Sequence, residues 1–220
     1  MEKDKNLIKL IRSLEALILE YKFDEASKLL VNVDQLRVIS AIQNLGFDKP
    51  VGVLAYVFVS FLINNEEKGV YHYAASFLMS HAFNYLPGAY LAAYYHSKRA
   101  IELDPSNIQF KTSLLYLRVI PEQILGKEEA IQIAKEILNE KPDSESALRI
   151  LIWETTDSKA YIEKALSYNP DNVTVKEMIL LYYSKLRDIV PKEQALQLAA
   201  DVLKHYPKSD AAQRVIKELT

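Results

Sequence analysis

The four histidines, at positions 72, 81, 96 and 205, are the residues of this chain that could hold a metal or carry a proton. A zinc site needs several such ligands at close spacing, for example two histidines four residues apart on one helix face. No two of these histidines have that spacing, and none belongs to an H-E-x-x-H motif. We therefore predict no metal site and expect histidines that are exposed or satisfied by hydrogen bonds.

Other catalytic signatures are also missing from the sequence. It has no cysteine, which excludes disulfides, thiolate zinc sites and cysteine nucleophiles. It contains neither a glycine-rich phosphate loop nor a G-x-S-x-G elbow. The acidic pairs Glu66-Glu67 and Glu128-Glu129 stand at predicted helix starts, where carboxylates favour the helix dipole without acid–base chemistry. We predict a protein that is not an enzyme and binds no cofactor, although a helical fold can hold an active site.

Tyrosines are concentrated in residues 51–97, which hold 11 of the 22 aromatic side chains but three charged ones. Burial in the middle of the chain would explain the apolar run Val51–Ile63 as a core helix. It explains the tyrosines less well, since a buried hydroxyl needs a partner and tyrosine is common at interface centres. We predict a partner-binding surface built from Tyr71, Tyr73, Tyr85, Tyr90, Tyr94, His96 and Lys98.

Charge and hydropathy argue against nucleic acid and membrane as partners. The 27 basic and 29 acidic residues give a net charge of −2, so the chain lacks the excess of positive charge that is typical of nucleic-acid-binding proteins. We expect the basic pair Lys98-Arg99 to lie on a solvated helix face. The run Val51–Ile63 is shorter than the roughly 20 residues that span a bilayer, and the first residues do not resemble a secretory signal. We predict a cytoplasmic protein.

The elements that must position these residues are helices separated by prolines. Apolar residues recur with helical spacing, and we find no sustained strand alternation. A proline ends a helix because the residue before it disfavours the α conformation. Four prolines stand between periodic segments: Pro105, Pro142, Pro170 and Pro207. The sequence predicts an all-α fold of about 12 helices, near residues 4–21, 24–44, 50–64, 66–84, 88–103, 106–119, 126–139, 143–153, 157–167, 171–187, 191–205 and 208–219.

Two further residues receive specific predictions. Gly46, followed by Pro50, is predicted to end one helix just before the next begins, as glycine and proline commonly do. Trp153 follows three aliphatic residues, 150–152, and is predicted to anchor the core.

The segments before three of the four prolines have an alanine at the same position. Ala93, Ala130 and Ala195 each lie 12 residues before a proline, and the segment Ser97–Pro105 has the form S-K-R-A-I-E-L-D-P. This pattern resembles the second helix of a tetratricopeptide repeat. The resemblance covers roughly residues 90–220, with a weaker echo at Phe23–Ala26. Proline spacings of 37, 28 and 37 residues and the lack of a first-helix signature make the repeats degenerate.

The tetratricopeptide resemblance implies a right-handed α-solenoid of antiparallel helix pairs that offers an extended binding surface. We predict one domain over 1–220, with N-terminal helices in 1–48, a charge-poor and aromatic-rich middle in 49–105 and degenerate repeats in 106–220.

A second resemblance concerns segments 72–76, 88–90, 95–105, 120–122 and 127–130, which are similar to small stand-alone bacterial helical-repeat proteins. Some of these are immunity proteins, so the resemblance implies a protein that binds and occludes a cognate toxin domain. The alternative is an adaptor that recognises a peptide segment of a partner protein. A carboxylate-clamp version is disfavoured, because the helix predicted at 66–84 has Lys68 as its one basic residue. The charge-poor middle could equally form a homodimer seam.

Overall fold

A computed structural model describes residues 2–48, 50–156 and 158–220, with side chains from Lys5 onward. The described part contains no strand, which confirms the all-α prediction. A π-helical turn, Leu78–Ala82, directly continues one of the α-helices. The α-helices are α1 (Glu2–Leu19), α2 (Phe23–Lys28), α3 (Gln35–Phe47), α4 (Leu54–Asn65), α5 (Gly69–Phe77), α6 (Ala89–Leu103), α7 (Ile108–Val119), α8 (Lys127–Glu140), α9 (Glu145–Glu154), α10 (Lys159–Tyr168), α11 (Val173–Leu181), α12 (Tyr183–Leu186), α13 (Lys192–His205) and α14 (Asp210–Leu219).

The prediction of one helix over 24–44 is wrong, because residues 29–34 separate α2 from α3. Asn32 has a φ of 61°, a left-handed conformation that asparagine tolerates better than most residues. Asp34 then caps α3, since its side chain accepts a hydrogen bond from the Arg37 backbone N–H at 3.1 Å. The helix predicted over 171–187 is likewise divided, at Tyr182.

The break predicted at Gly46–Pro50 is confirmed, because α3 ends at Phe47 and α4 begins at Leu54, and Gly46 is a buried residue in the last turn of α3. A Cβ atom at this position would overlap the Leu78 side chain. The glycine therefore allows α3 to approach the π turn closely, which the sequence did not predict.

The chain divides into two compact units, unit 1 up to Ile124 and unit 2 over Leu125–Thr220. The single domain proposed from the sequence stays a prediction beside this division. In unit 1, α5 lies against α3, α4 and α6, and its contact with α6 is the most extensive. Small residues make this contact possible: Ala74, Ala75, Ala93 and Ala100 are fully buried.

In unit 2, the helices before Pro142 and Pro207 pack through the small residues that the sequence pattern picked out. Ala130 and Ala195 are completely buried. The turns at Pro142 and Pro170 are joined, because Asn169 and Asn172 both donate to a carboxylate oxygen of Asp143, at 3.1 and 3.0 Å. The prolines thus mark the turns that hold successive helices together.

Within the described residues, no helix is both long and apolar enough to pass through a bilayer.

Candidate functional site

An aromatic stripe in unit 1 is formed by residues of α3, α5, the π turn, α6 and α7. Phe47 at the end of α3 meets Phe77 of α5 edge-on, with ring centroids 6.1 Å apart. The His81 ring stacks between Phe77 at 4.3 Å and Tyr116 of α7 at 4.7 Å. We define the aromatic stripe as these four residues together with Tyr73 and Tyr90.

The two tyrosines extend the stripe at its edges. Tyr73 stacks on the buried Phe110 ring at 5.2 Å, and its hydroxyl accepts a hydrogen bond from the Gln109 amide at 3.3 Å. Tyr90 interacts with the Tyr116 hydroxyl and accepts a hydrogen bond from Asn84. Because these contacts fix the ring orientations, the stripe is preformed.

His81 presents one free ring nitrogen at the centre of this stripe. The Ser80 hydroxyl donates to the Ser76 carbonyl at 2.8 Å, so its oxygen is left to accept from His81 Nδ1, also at 2.8 Å. His81 Nε2 is then an acceptor, and no described side chain bonds it. His81 is exposed as a residue, but partial burial of its ring lowers its pKa below the ordinary value. The stripe therefore offers a neutral hydrogen-bond acceptor amid aromatic faces.

A second feature of unit 1 is a buried chain of hydrogen bonds across α4, α5 and α6, which we call the histidine chain. The Tyr56 hydroxyl lies 2.9 Å from His96 Nε2, and His96 Nδ1 lies 2.8 Å from His72 Nδ1. His72 Nε2 is 3.1 Å from a carboxylate oxygen of Glu67. His72 is 1% and His96 7% exposed.

The outer end of the histidine chain is a bidentate ion pair. Arg99 donates from Nε to one Glu67 oxygen at 2.7 Å and from Nη2 to the other at 2.8 Å. Hydrogen bonds from Arg99, aided by His72, lower the pKa of Glu67 to about 2. Glu67 therefore has a specific partner that the helix-dipole interpretation missed. Arg99 is partly exposed, as expected for a solvated helix face, but its ion pair with Glu67 was not predicted.

Exposed apolar residues of α4 and α6 lie beside the histidine chain. The Tyr95 ring touches both histidine rings edge-on and is itself 60% exposed. Leu91, one turn earlier on α6, is 62% exposed, and Val53 and Val57 beside Tyr56 are 51% and 44% exposed. The run Val51–Ile63 is thus buried on one face, whereas we predicted a core helix.

The structure places the seven residues predicted to bind a partner in different surroundings. Tyr73 and Tyr90 belong to the aromatic stripe, while Tyr71 lies below the Lys68 ammonium, 5.8 Å from its ring centroid, and lines a separate groove.

The other predicted residues lie on α6 or in the turn before it. Tyr85 is highly exposed in the turn before α6, and Tyr94 and Lys98 are half-buried on α6. His96 is buried, with both ring nitrogens bonded inside unit 1. The binding role of the set stays a prediction.

The sequence interpretation missed four stripe residues, Phe47, Phe77, His81 and Tyr116. A signal for two of them was present, because Tyr73, Phe77 and His81 follow an i, i+4, i+8 spacing that places aromatic rings along one helix face. Phe47 and Tyr116 lie on other helices, and no local spacing connects them to that face.

Unit 2 has an exposed aromatic residue of its own. Trp153 is 55% exposed, so the prediction that it anchors the core is wrong. The Lys185 ammonium lies 3.8 Å from its ring centroid and donates to its backbone carbonyl at 3.2 Å. A groove nearby on the same unit is lined by α9, α11 and the start of α14, including Arg149, Met178 and Ser209.

Among the residues that the structure describes, no group of three histidine, aspartate or glutamate side chains is arranged to hold a metal ion. The chain matches no protein-family model and no curated protein sequence.

Proposed function

We propose that this chain is a non-enzymatic protein that binds another protein through the aromatic stripe of unit 1. The observation that carries the proposal is the stack of Phe77, His81 and Tyr116 with the exposed edge ring of Phe47. Aromatic rings in fixed orientations supply large contact areas at low entropic cost, which is why they dominate binding energies at interfaces.

The most concrete form of this function is an immunity-type inhibitor. Its support is the resemblance of segments 72–76, 88–90, 95–105, 120–122 and 127–130 to small bacterial helical-repeat proteins, some of which are immunity proteins that cover a toxin domain. A preformed stripe suits such occlusion, because a rigid surface loses little freedom when a folded domain docks. The inhibitor itself carries out no reaction.

The proposal includes a right-handed α-solenoid of degenerate tetratricopeptide-like pairs. Packing between alternate helices supports it in each unit separately. In unit 1, α1 packs against α3 and α3 against α5, while in unit 2, α9 packs against α11, and α11 packs against α14 if the four-residue α12 is counted with α11. Alternate helices of a solenoid line one surface, and the stripe residues Phe47, Phe77 and Tyr116 lie on α3, α5 and α7.

A peptide adaptor is the second candidate, favoured by the exposed Trp153 and the groove beside Arg149 and Met178. Exposed tryptophan is rare on surfaces that bind nothing and is enriched among interface hot spots. A linear segment would then lie on unit 2 rather than on the stripe.

One experiment distinguishes the two functions. The full tagged chain is captured from its native cells in high salt, as wild type, as Phe47→Ala with His81→Ala, and as Trp153→Ala. We expect one stoichiometric partner that the stripe variant loses or binds at least about 10-fold more weakly in calorimetry. Both substituted stripe side chains are exposed, so the fold should persist.

The matched control is Tyr168→Ala, an exposed aromatic residue of unit 2 that should bind as wild type does. If growth of cells expressing the partner is arrested and this chain restores it, the immunity function is supported. If Trp153→Ala is the one variant that loses the partner, the peptide-adaptor function on unit 2 is supported and binding through the stripe is overturned. Equal binding by all variants would overturn both proposals.

A further inference from the structure

The proton positions in the histidine chain follow from its outer end. A guanidinium donates from all its nitrogens and stays charged, so Glu67 beside Arg99 is an ionised carboxylate that accepts on both oxygens. His72 Nε2, at 3.1 Å from Glu67, must therefore carry a hydrogen. A neutral imidazole has a single N–H, which leaves His72 Nδ1 as an acceptor.

The remaining hydrogen bonds are then determined one after another. His96 Nδ1 lies 2.8 Å from His72 Nδ1 and must donate to it. His96 Nε2 is consequently an acceptor, and the Tyr56 hydroxyl at 2.9 Å donates to it. At neutral pH every donor in the chain points the same way, from Tyr56 toward Glu67.

One added proton can be accommodated without loss of a hydrogen bond. A proton taken up at the Tyr56 oxygen displaces the hydroxyl hydrogen to His96 Nε2, and His96 Nδ1 passes its own hydrogen to His72 Nδ1. The net result is one imidazolium, at His72, facing the Glu67 carboxylate. His72 now donates to His96 and His96 donates to Tyr56, so the direction of these two bonds is reversed.

A second proton cannot be accommodated. With both imidazoles charged, two N–H groups face each other across 2.8 Å with no acceptor between them. The hydrogen bond between His72 of α5 and His96 of α6 must therefore break, because the two buried imidazolium groups repel each other.

We propose that the histidine chain is a proton-operated latch between α5 and α6 of unit 1. It accepts one proton by reversing the direction of two hydrogen bonds, and it opens on the second proton because the His72–His96 hydrogen bond breaks. This inference does not depend on the proposed binding function. The titratable and charged groups that face the two histidines, taken from every element around them, are Tyr56 of α4, Glu67 between α4 and α5, and Tyr95, Arg99 and Glu102 of α6.

The pKa directions agree with this order of protonation. Burial lowers the pKa of His72, but Glu67 opposes that shift. Burial, together with the proximity of His72, lowers the pKa of His96 to about 4. The latch is thus closed at neutral pH, takes its first proton at His72 and opens under acidic conditions.

Nitrogen-15 NMR of the histidine side chains in the full wild-type chain tests the latch directly. At pH 7.5 we expect His72 as the Nε2–H tautomer and His96 as the Nδ1–H tautomer. On acidification, His72 should become imidazolium while His96 changes to the Nε2–H tautomer in the same pH interval. A His72 carrying its hydrogen on Nδ1 at pH 7.5, or a His96 that keeps its tautomer while His72 titrates, would overturn the proposal.

A charge-removing variant tests the role of Glu67. Glu67→Gln removes the negative charge that stabilises the His72 imidazolium, so the His72 midpoint should fall by about 1 pH unit. The matched control is Glu66→Gln, because Glu66 pairs with Lys68 and does not touch the histidines. We expect the control to titrate as wild type does. An unshifted midpoint in a folded Glu67→Gln protein would contradict the latch.

Discussion

Single residues carry constraints that come from distant parts of the chain. Gly46 is the clearest example, since the Leu78 side chain occupies the space that a Cβ atom would need, 32 positions along the sequence. Glu67 and Arg99 are another, because they are also 32 residues apart and form a bidentate pair. Neither relation has a local signature, which is why the sequence predicted neither the close approach at Gly46 nor the ion pair of Arg99.

We predict that Gly46→Ala lowers the free energy of unfolding by about 1 to 3 kcal/mol, because α3 and the π turn must move apart to admit the methyl group. Denaturant unfolding monitored by circular dichroism measures the change. Gly126→Ala is the matched control, since a Cβ there meets no atom within 4 Å. It should lower the free energy of unfolding by much less than Gly46→Ala does. Equal stability of Gly46→Ala and wild type would show that α3 is not held against the π turn.

At the scale of elements, the start of α3 depends on one side chain. We predict that Asp34→Ala destabilises the protein by about 1 kcal/mol, because the Arg37 N–H then loses its acceptor at the helix N-terminus. Asp34→Asn keeps an acceptor oxygen at this position and should recover most of the loss. The comparison is made by thermal unfolding, and an alanine variant as stable as the asparagine variant would contradict the cap.

Most helices could be predicted from the sequence because their punctuation is local. The prolines at 105, 142, 170 and 207 act on the residues directly before them, and the predicted boundaries there agree with the structure to within a few residues. The break between α2 and α3 was missed because asparagine, at Asn32, indicates a helix boundary less strongly than proline or glycine does. The aromatic stripe and the histidine chain arise where helices meet, so helical periodicity alone could supply at most their α5 members.

At the scale of the whole molecule, stability should depend on pH through the buried histidines. The pKa values of His72 and His96 are lowered by burial, so the unfolded chain binds protons before the folded one does as the pH falls. The resulting stability is complete above about pH 6.5, the unfolded value. It is lost progressively as the pH approaches 4, the value about which His96 titrates in the folded protein.

We predict that His96 alone accounts for about 2 kcal/mol of lost stability between pH 7 and pH 4.5. Glu67 adds a further loss only below its unfolded pKa, because Arg99 holds the folded value near 2. Urea midpoints at several pH values measure the profile. His96→Gln should flatten it, whereas the exposed His205→Gln should leave it unchanged. A wild-type profile flat between pH 7 and pH 4.5 would show that the histidines are not buried as described.

The exposed position of Trp153 has a spectroscopic consequence. It is the one tryptophan of the sequence and lies in unit 2, whereas nine of the 14 tyrosines, at positions 21, 56, 71, 73, 85, 90, 94, 95 and 116, lie in unit 1. Indole emission, selectively excited, therefore reports on unit 2 and on the Lys185 ammonium above the ring, while tyrosine absorbance reports mainly on unit 1. The chain carries two natural optical probes, one weighted to each unit, and the unfolding of the two units can be followed separately without a label.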